Sequence, residues 1–332
     1  MNILVTGATG LLGNAIVLAA LRADHHVKAL VRPGRALDDF AWPKATNLEV
    51  CAVALEASEE LQSALKNIDV VIHSAAAKSG DYAYQYTNTV VTTQALLAAM
   101  NKADVRRLIG IGSFAVFDYE VPRAGELLHA DSPKESQPGR RDAYTQTKCL
   151  QEQCFAEFAQ QGGEVTVLRP GIIYGPQALW QFCLGKGLGN KLWLRIGPDA
   201  DELPWTYVEN CADAVLAAAT KPESIGATIN IVDDERPGRS AFITKLNSYP
   251  ELRKTVLPLP WWPLYGAAKV IEFVNAKLFG GRLPVPGLLR PKVLNVRFKP
   301  LRYSNERAKR LLGWQSRVSV DLAIQRSLES GK

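Results

Sequence analysis

The chain has 332 residues, of which 47% are hydrophobic and 22% are charged, and its formal net charge is +6 at pH 7. These values are close to those of ordinary globular proteins, so they exclude collagen-like, coiled-coil and largely disordered chains. No apolar run in the sequence reaches the roughly 18 residues that a membrane-spanning helix needs.

The first elements in chain order are a strand, a glycine-rich turn, a helix and a second strand. Residues 2–6 are a short apolar run, residues 7–13 are rich in glycine, residues 14–23 have a helical composition, and residues 27–31 are apolar again. Apolar runs then predict strands over residues 48–53, 70–73, 107–111, 165–169 and 227–232, with helices over residues 59–66, 84–101 and 143–161. This alternation predicts an α/β fold, a Rossmann doubly wound parallel sheet of about seven strands with helices on both faces.

The composition changes after Arg169, where proline and glycine become frequent and tryptophans cluster. A single core rarely grows beyond about 250 residues, so a chain of this length is expected to carry a smaller annex. We predict a Rossmann domain over residues 1–170 with a return segment at 207–232, and a smaller substrate-binding lobe formed by residues 171–206 and 233–332.

Glycines at positions 7, 10 and 13 lie directly after the first predicted strand and lead into the first helix. In that context they allow a tight turn and a close approach of the backbone to a pyrophosphate, which the N-terminus of the helix faces. The turn therefore predicts an NAD(P)-binding site with contacts from Thr6, Gly7, Thr9, Gly10, Leu11, Leu12 and Gly13.

The end of the second predicted strand indicates which dinucleotide binds. An NAD enzyme normally has an acidic residue here for the ribose 2′-hydroxyl, but no acid precedes Asp38, and Arg32 and Arg35 occupy the segment. A guanidinium can pair with a 2′-phosphate through two charge-assisted hydrogen bonds. We therefore predict NADP bound by Arg32, with NAD as the alternative. A solvated loop arginine is the other interpretation of Arg32.

Tyr144 and Lys148 are four residues apart in a predicted helix, so their side chains share one face. An ammonium near a phenol favours the phenolate and lowers the pKa of the phenol from its usual value of about 10. The pair is therefore a candidate for proton transfer to and from a substrate.

With these motifs together, the chain resembles the extended short-chain dehydrogenase/reductase family over nearly its whole length. The matching positions are the glycine turn, the pair Tyr144 and Lys148, and Ser113 in Gly-Ser-Phe-Ala-Val-Phe at the end of the fifth predicted strand. Further matches are His-Ser-Ala-Ala at 73–76, Asn88, the Leu-Arg-Pro and Tyr-Gly-Pro steps within 168–176, and Ala-Lys-Arg-Leu-Leu-Gly-Trp at 308–314.

The resemblance implies hydride transfer at the C4 atom of a nicotinamide. Tyr144 would exchange a proton with the carbonyl oxygen, Ser113 would hold that oxygen, and Lys148 would bind the nicotinamide ribose and tune Tyr144. Asn88 is either a fourth catalytic residue or a helix residue that bonds to neighbouring backbone. The family also implies cofactor contacts from Leu55, Ser74, Ala75, Ala76, Pro170, Gly171 and Ile173, and substrate contacts from Lys78, Ser113, Phe114, Tyr174, Trp180, Trp193 and Trp205.

Departures from the family pattern narrow the range of substrate classes. The third strand ends in Val-Ala-Leu at 53–55 rather than in the Asp that contacts adenine. The Asn that nucleotide-sugar enzymes use for the diphosphate is absent from 171–173, and so is the Arg that they often carry just before 205–208. Residues 207–210, Tyr-Val-Glu-Asn, resemble the branch of 3β-hydroxysteroid dehydrogenases and dihydroflavonol reductases.

We therefore predict an enzyme, an NAD(P)-dependent oxidoreductase that interconverts a ketone and a secondary alcohol on a hydrophobic substrate that is sterol-like, isoprenoid or acyl-derived. The lobe tryptophans would supply apolar contact area for such a ligand, or else fill the core of the lobe. Two alternatives stay open: a nucleotide-sugar epimerase, dehydratase or 4-keto reductase, and a sensor that binds the dinucleotide without turnover.

The last third of the chain suggests where the protein works. Residues 261–281 combine apolar bulk with few charges, and residues 282–310 contain nine Arg or Lys and one acid, Glu306. An amphipathic helix beside such a basic stripe predicts peripheral contact with an anionic membrane, while a cap over the lobe or an oligomer contact is the alternative.

Other partners and the location follow from the remaining patterns. The sequence has no nucleic-acid-binding motif and no metal-ligand spacing. Five scattered cysteines without a CxxC pair, and an N-terminus without an export signal, predict a cytoplasmic protein, with membrane association as the second prediction. The family resemblance implies a homodimer through the helices at 84–101 and 143–161.

Overall fold

The computed structural model describes residues 1–36, 40, 42, 46–198, 202–283, 285–286 and 289–330. The strands in these residues are β1 (Asn2–Thr6), β2 (His26–Val31), β3 (Leu48–Ala52), β4 (Val70–His73), β5 (Arg107–Ile111), β6 (Leu127–Leu128), β7 (Glu164–Pro170), β8 (Ile172–Tyr174), β9 (Gly185–Leu188), β10 (Leu192–Ile196), β11 (Trp205–Tyr207), β12 (Thr228–Ile231), β13 (Thr255–Leu259) and β14 (Arg302–Tyr303).

The helices in the same residues are α1 (Leu11–Arg22), α2 (Ser58–Ala64), α3 (Tyr82–Tyr86), α4 (Thr92–Lys102), α5 (Ala143–Gln160), α6 (Val208–Thr220), α7 (Arg239–Asn247), α8 (Trp261–Phe279), α9 (Pro291–Phe298), α10 (Glu306–Leu312) and α11 (Val320–Glu329). A π-helical turn, Thr87–Val91, joins α3 to α4.

A seven-stranded sheet in the order β12-β7-β5-β4-β1-β2-β3 forms the centre of the molecule, and every neighbouring pair is parallel. The predicted Rossmann doubly wound sheet and its strand number are confirmed. The strand order reverses between β1 and β4. In sheets of this kind a ligand crevice opens at that point, beyond the carboxyl ends of the strands.

Both faces of the sheet are covered by helices, and the sequence of β1 shows how. Ile3 and Val5 belong to a core cluster shared with α1 and α6, whereas Leu4 belongs to a second cluster shared with α4 and α5. Successive strand residues point to opposite faces, so a strand covered on both sides must be apolar throughout. β4 and β5 are accordingly buried along their whole length.

The predicted element boundaries agree closely with the structure. The strands predicted over 2–6, 70–73 and 107–111 are confirmed to the residue. Helix α1 begins at Leu11 rather than at residue 14, because the glycine turn leads directly into it and the Asn14 amide already donates to the Gly10 carbonyl at 2.9 Å. The helix predicted over 84–101 is the continuous run from α3 to α4.

The smaller lobe contains a three-stranded sheet in the order β13-β10-β9, together with α7, α8 and α9. Helix α6 and strand β12, the predicted return segment, lie in the Rossmann domain. Helices α10 and α11, which the prediction assigned to the lobe, instead bury their apolar faces in the core cluster of α1 and α6. Within the described residues, no helix is both long and apolar enough to cross a bilayer.

Candidate active site

The glycine turn after β1 has the geometry of an anion cradle. Gly7 has a φ of +65°, and a Cβ atom there would lie 2.7 Å from the Ala75 amide nitrogen. A Cβ on Gly13 would lie 2.0 Å from the Gly7 carbonyl oxygen. Helix α1 starts directly after Gly10, and it has no side-chain cap and no acidic residue in its first turn. Its first amides therefore stay available to an anion, and the residues present fit a pyrophosphate.

The other predicted cofactor residues gather at the same edge of the sheet. Ser74, Ala75 and Ala76 follow β4, and the Ser74 hydroxyl donates to the Thr6 carbonyl at 2.8 Å. Pro170 ends β7, and Gly171 and Ile173 lie between β7 and the end of β8. Because parallel strands end at a common edge, segments from β1, β4 and β7 border one crevice.

Two predicted cofactor residues lie further along this edge. Arg32 follows β2 directly and its side chain is exposed, so it is open to a ligand. Leu55 follows β3 and is half-buried. Asp38, the first acid after β2, lies outside the described residues.

Ser113 and Tyr144 are brought together by β5 and α5. Ser113 follows β5 and caps a short helical turn by accepting the Ala115 amide at 3.1 Å. Its side chain also lies near the phenol of Tyr144, in the first turn of α5, and acts on the pKa of that phenol. Burial raises the pKa of Tyr144, the neighbouring Ser113 hydroxyl lowers it, and the carboxylate of Asp142 raises it.

Lys148 lies one helical turn below Tyr144 and is almost fully buried. Its Nζ donates to the Ile111 carbonyl at 2.6 Å and to Oε1 of Gln151. The pKa of Lys148 is lowered to about 8, chiefly by burial; Glu152 opposes this shift, and the charge of Lys78 adds to it. The expected lowering of the Tyr144 pKa by Lys148 is corrected here: burial of the phenol dominates and the pKa shift is upward, and the group that opposes it is Ser113.

A buried hydrogen-bond network that the sequence did not predict lies beneath Lys148. His73 Nδ1 lies 2.7 Å from the Thr6 hydroxyl, and its Nε2 lies 2.8 Å from the Thr93 hydroxyl and 3.2 Å from Nε2 of Gln151. Burial and the charge of Lys148 lower the pKa of His73 to about 3, so the imidazole is neutral. The network connects the strand that leads into the glycine turn to Lys148.

The place of Gln151 beside Lys148 could have been predicted from the spacing of the two residues. Gln151 lies three residues after Lys148 and therefore on the same face of α5. His73 and Thr93 offered no such signal, because they come from β4 and α4, and only the folded chain brings them to α5.

An ion pair that the sequence did not reveal holds the start of α5 in place. Arg141 and Glu135 are both buried and lie 3.3 Å apart. Arg141 also donates to the Thr145 hydroxyl at 3.1 Å and to the Phe117 carbonyl at 3.3 Å. Since Phe117 lies in the loop that carries Ser113, this arginine joins the Ser113 loop to the helix turn that carries Tyr144.

Asn88 occupies the π-helical turn between α3 and α4, and its side-chain amide donates to the Tyr84 carbonyl at 2.9 Å. This is the bond expected of a helix residue that satisfies nearby backbone. The described contact of Asn88 thus fits the second interpretation, and its role as a fourth catalytic residue stays a prediction.

Three predicted substrate residues are core residues. Trp205 is completely buried, stacks on Phe242 at 4.0 Å between ring centres, and donates to the Pro237 carbonyl at 2.9 Å. Tyr174 is completely buried against the same two rings. Phe114 packs on Phe117 in another cluster. These side chains fill the interior, which for Trp205 is the second interpretation that the sequence allowed, and the substrate assignment is corrected for all three.

The remaining predicted substrate residues differ in position. Trp180 and Trp193 pack on each other with ring centres 4.7 Å apart, under the ammonium of Lys254. Lys78 is exposed, yet its charge acts on Lys148, so it borders the candidate site from the β4 side. Partial removal of its ammonium group from water lowers the pKa of Lys78.

Comparison with known proteins is consistent with this site. The family model described as the NAD dependent epimerase/dehydratase family matches residues 3–232. Sterol demethylase protein B of Methylococcus capsulatus is 31% identical over 188 residues, which cover 55% of this chain and 53% of that protein. The decarboxylating sterol-4-alpha-carboxylate 3-dehydrogenase of Candida albicans is 25% identical over 99% of this chain and 97% of its own length.

Sugar-nucleotide enzymes are also similar. The UDP-glucose 4-epimerase of Vibrio cholerae is 24% identical over 83% of this chain and 86% of its own length. The crystal structure of UDP-glucuronic acid 4-epimerase from Bacillus cereus in complex with NAD has a TM-score of 0.73 and 20% identity. That alignment covers 100% of this chain and 96% of the other, and at this identity it shows a common fold.

Proposed function

This chain belongs to the NAD-dependent epimerase/dehydratase family, and from that premise we propose that it interconverts a ketone and a secondary alcohol on a hydrophobic substrate. The observation that carries the proposal is the proximity of the Ser113 and Tyr144 hydroxyls, with Lys148 one helical turn below, at the edge of the sheet where the glycine turn lies. A protein that only binds a dinucleotide needs no such hydroxyl pair beside the crevice, so the sensor alternative is disfavoured.

The chemistry divides between the dinucleotide and the protein. A bound nicotinamide supplies or accepts the hydride. During reduction the Tyr144 hydroxyl gives its proton to the carbonyl oxygen, and Ser113 donates a hydrogen bond to the same oxygen. Lys148, held by Ile111 and Gln151, would bind the nicotinamide ribose with its remaining N–H.

The hydrophobic substrate class is supported by two relatives and by the sequence. Their names refer to sterols, and one of them aligns with this chain over almost its full length. The Asn and Arg that nucleotide-sugar enzymes use for the diphosphate are absent from the corresponding segments. We propose a sterol-like, isoprenoid or acyl-derived ketone or alcohol.

For the cofactor we propose NADP, with NAD as the alternative. The exposed guanidinium of Arg32 stands directly after β2, where it can pair with a 2′-phosphate. The family name and the NAD bound in the similar structure favour NAD instead. Separate dissociation constants for the two dinucleotides decide between them.

The function is tested by the variant Tyr144→Phe, assayed with a panel of sterol and isoprenoid ketones. Turnover is expected to fall by about 100-fold or more, because the proton donor is lost. Dinucleotide affinity is expected to change little, since the ring remains. An equal loss of both would contradict the acid–base role of Tyr144.

The sugar-nucleotide alternative is favoured by the similarity to UDP-glucose 4-epimerase. The same preparation separates the two enzymes, since a ligand of the native state raises the melting temperature. A rise with uridine diphosphate and none with the hydrophobic ketones would replace the proposal by this alternative.

Assembly and location stay predictions. We propose a homodimer through the helices predicted over 84–101 and 143–161, which are the run from α3 to α4 and helix α5; these pack on each other, and Tyr84 is exposed beside them. Light scattering of the purified chain tests it. All five cysteines are free, in keeping with the predicted reducing cytoplasm.

A further inference from the structure

Helix α8 exposes more apolar surface than is expected of a helix that contacts only water on its outer side. Its inner face packs on α9 and on the cluster of Ile196, Leu294 and Phe298, through Ala268 and the partly buried Trp261, Leu264 and Tyr265. Its outer face exposes apolar side chains: Trp262 is 72% exposed, Phe273 63%, Val270 63% and Leu278 73%. A helix that is apolar on both faces needs an apolar partner on each.

The exposed side chains form one continuous surface. Each residue turns the helix by 100°, so the side of α8 away from Ala268 carries, in order around the helix axis, Trp262, Phe273, Val270 and Leu278. Gly266, Pro263 and Ala267 lie between them. Lys277 is the only charged residue near the middle of this surface. We call these residues the outer face of α8.

Positive charge borders the outer face. Gly280 ends the helix in a left-handed conformation, and the buried Asn275 side chain exchanges two hydrogen bonds of 3.1 Å with the backbone of Leu283. This turn holds the exposed Arg282 and Leu283 beside the end of α8. Among the described residues, neither Lys277 nor Arg282 takes part in an ion pair, whereas the nearby acid Glu272 is within 3.8 Å of Lys269.

We propose that the outer face of α8 docks on the surface of an anionic lipid bilayer. Apolar side chains of this size enter the boundary between headgroups and acyl chains, and nearby Lys and Arg are attracted by anionic headgroups. A second copy of the chain fits less well, because a symmetric contact through this face would bring Lys277 and Arg282 of the two copies together.

Docking of α8 would bring the active site to the membrane surface. Helix α9, which packs on α8, is anchored by Lys292 to Glu120 at 3.2 Å and to Glu135 at 3.9 Å. Glu135 is the partner of Arg141, which joins the Ser113 loop to α5. The outer face is thus connected through α9 to the loop that carries the catalytic serine. This step rests on the proposed function, since a hydrophobic substrate would be taken from the bilayer.

The test uses the full chain without cofactor or substrate, so that it does not depend on the proposed activity. Vesicles of phosphatidylcholine alone, and of phosphatidylcholine with phosphatidylglycerol, are floated with the protein at low and high salt. The chain is expected to float with the anionic vesicles and to lose most of this binding at high salt. Brominated phosphatidylcholine is expected to quench Trp262, the only tryptophan whose side chain is exposed in the described residues.

Matched variants identify the surface. Trp262→Ser with Phe273→Ser is expected to weaken vesicle binding by about tenfold or more. Lys277→Gln with Arg282→Gln is expected to weaken binding to anionic vesicles by about fivefold per charge and to leave neutral vesicles unaffected. The control is Val50→Ser with Ile225→Ser, which removes exposed apolar groups near the two edges of the central sheet and is expected to bind as the parent does.

Three outcomes would overturn the proposal. They are absence of flotation with either vesicle, unchanged binding by the Trp262 and Phe273 variant, and a dimer lost in that variant without any vesicle binding, which would assign the face to self-association. Vesicle binding without ketone turnover would leave the docking surface intact and reject only the proposed function.

Discussion

Lys148 shows how far the surroundings of one residue set its chemistry. Its ammonium is buried, its pKa is lowered to about 8, and two of its three N–H donors are directed to Ile111 and Gln151. The bond to Gln151 stabilises the charged form of the amine, while burial opposes it. Gln151 is in turn held by Thr93 at 2.9 Å and by His73. We infer that Gln151 is a positioning residue for Lys148.

Replacing Gln151→Leu is expected to lower kcat/KM by about tenfold, because a charged donor loses its buried acceptor. The alkaline limb of the kcat/KM profile is expected to move to lower pH, since the pKa of Lys148 falls further. Steady-state kinetics across pH measures both effects.

The matched control is Gln153→Leu, an exposed residue of the same helix that bonds to Glu157. It is expected to leave the profile unchanged. A loss of rate in Gln151→Leu without movement of the alkaline limb would indicate a merely structural role for Gln151.

At the scale of elements, the turn between β1 and α1 is where local sequence and tertiary contact agree most closely. Gly7 is required by its positive φ and by the nearness of Ala75 on the neighbouring β4 segment. Gly13 is required because α1 passes directly over the turn. The helix starts without a side-chain cap, so a bound anion would complete its first turn.

The variant Gly13→Ala is therefore expected to weaken dinucleotide binding by about tenfold or more, because the new methyl group must displace the Gly7 carbonyl that shapes the cradle. Isothermal titration with each dinucleotide measures the effect. Gly139→Ala, where an added Cβ meets no atom within 4 Å, is the control and is expected to bind normally. Full affinity in a folded Gly13→Ala protein would show that the turn does not hold the cofactor.

At the scale of the whole molecule, two buried groups give stability opposite dependences on pH. The pKa of His73 is lowered from 6.5 to about 3, so its contribution is present above pH 6.5 and is lost as the pH falls towards 3. The pKa of Asp233 is raised by burial from 3.8 to about 7, so its contribution is present below 3.8 and is lost as the pH rises towards 7. Between pH 3.8 and pH 6.5, therefore, the stability contributed by His73 increases with pH while the stability contributed by Asp233 decreases.

A variant that cannot titrate at position 233 isolates the pH dependence that Asp233 contributes to stability. In Asp233→Asn the difference in unfolding free energy from the parent is expected to change by about 1.4 kcal/mol per pH unit between pH 4 and 7, in favour of the variant as the pH rises. Asp233 also accepts the Tyr207 amide at 2.8 Å, so the variant has a constant offset and the slope is the informative quantity. Denaturant unfolding at several pH values measures it, and a difference that does not vary with pH would contradict the raised pKa.

The order of elements, the glycine turn and the pairing of Tyr144 with Lys148 were determined by the sequence itself, because each depends on spacing along one strand, turn or helix. The partners of those residues were decided only by tertiary structure. His73, Thr93 and Arg141 reach the site from separate elements, and burial reversed the expected direction of the Tyr144 pKa shift. Composition alone could not tell whether an aromatic side chain fills the core, as Trp205 does, or faces outward, as Trp262 does, because burial depends on what packs against each face.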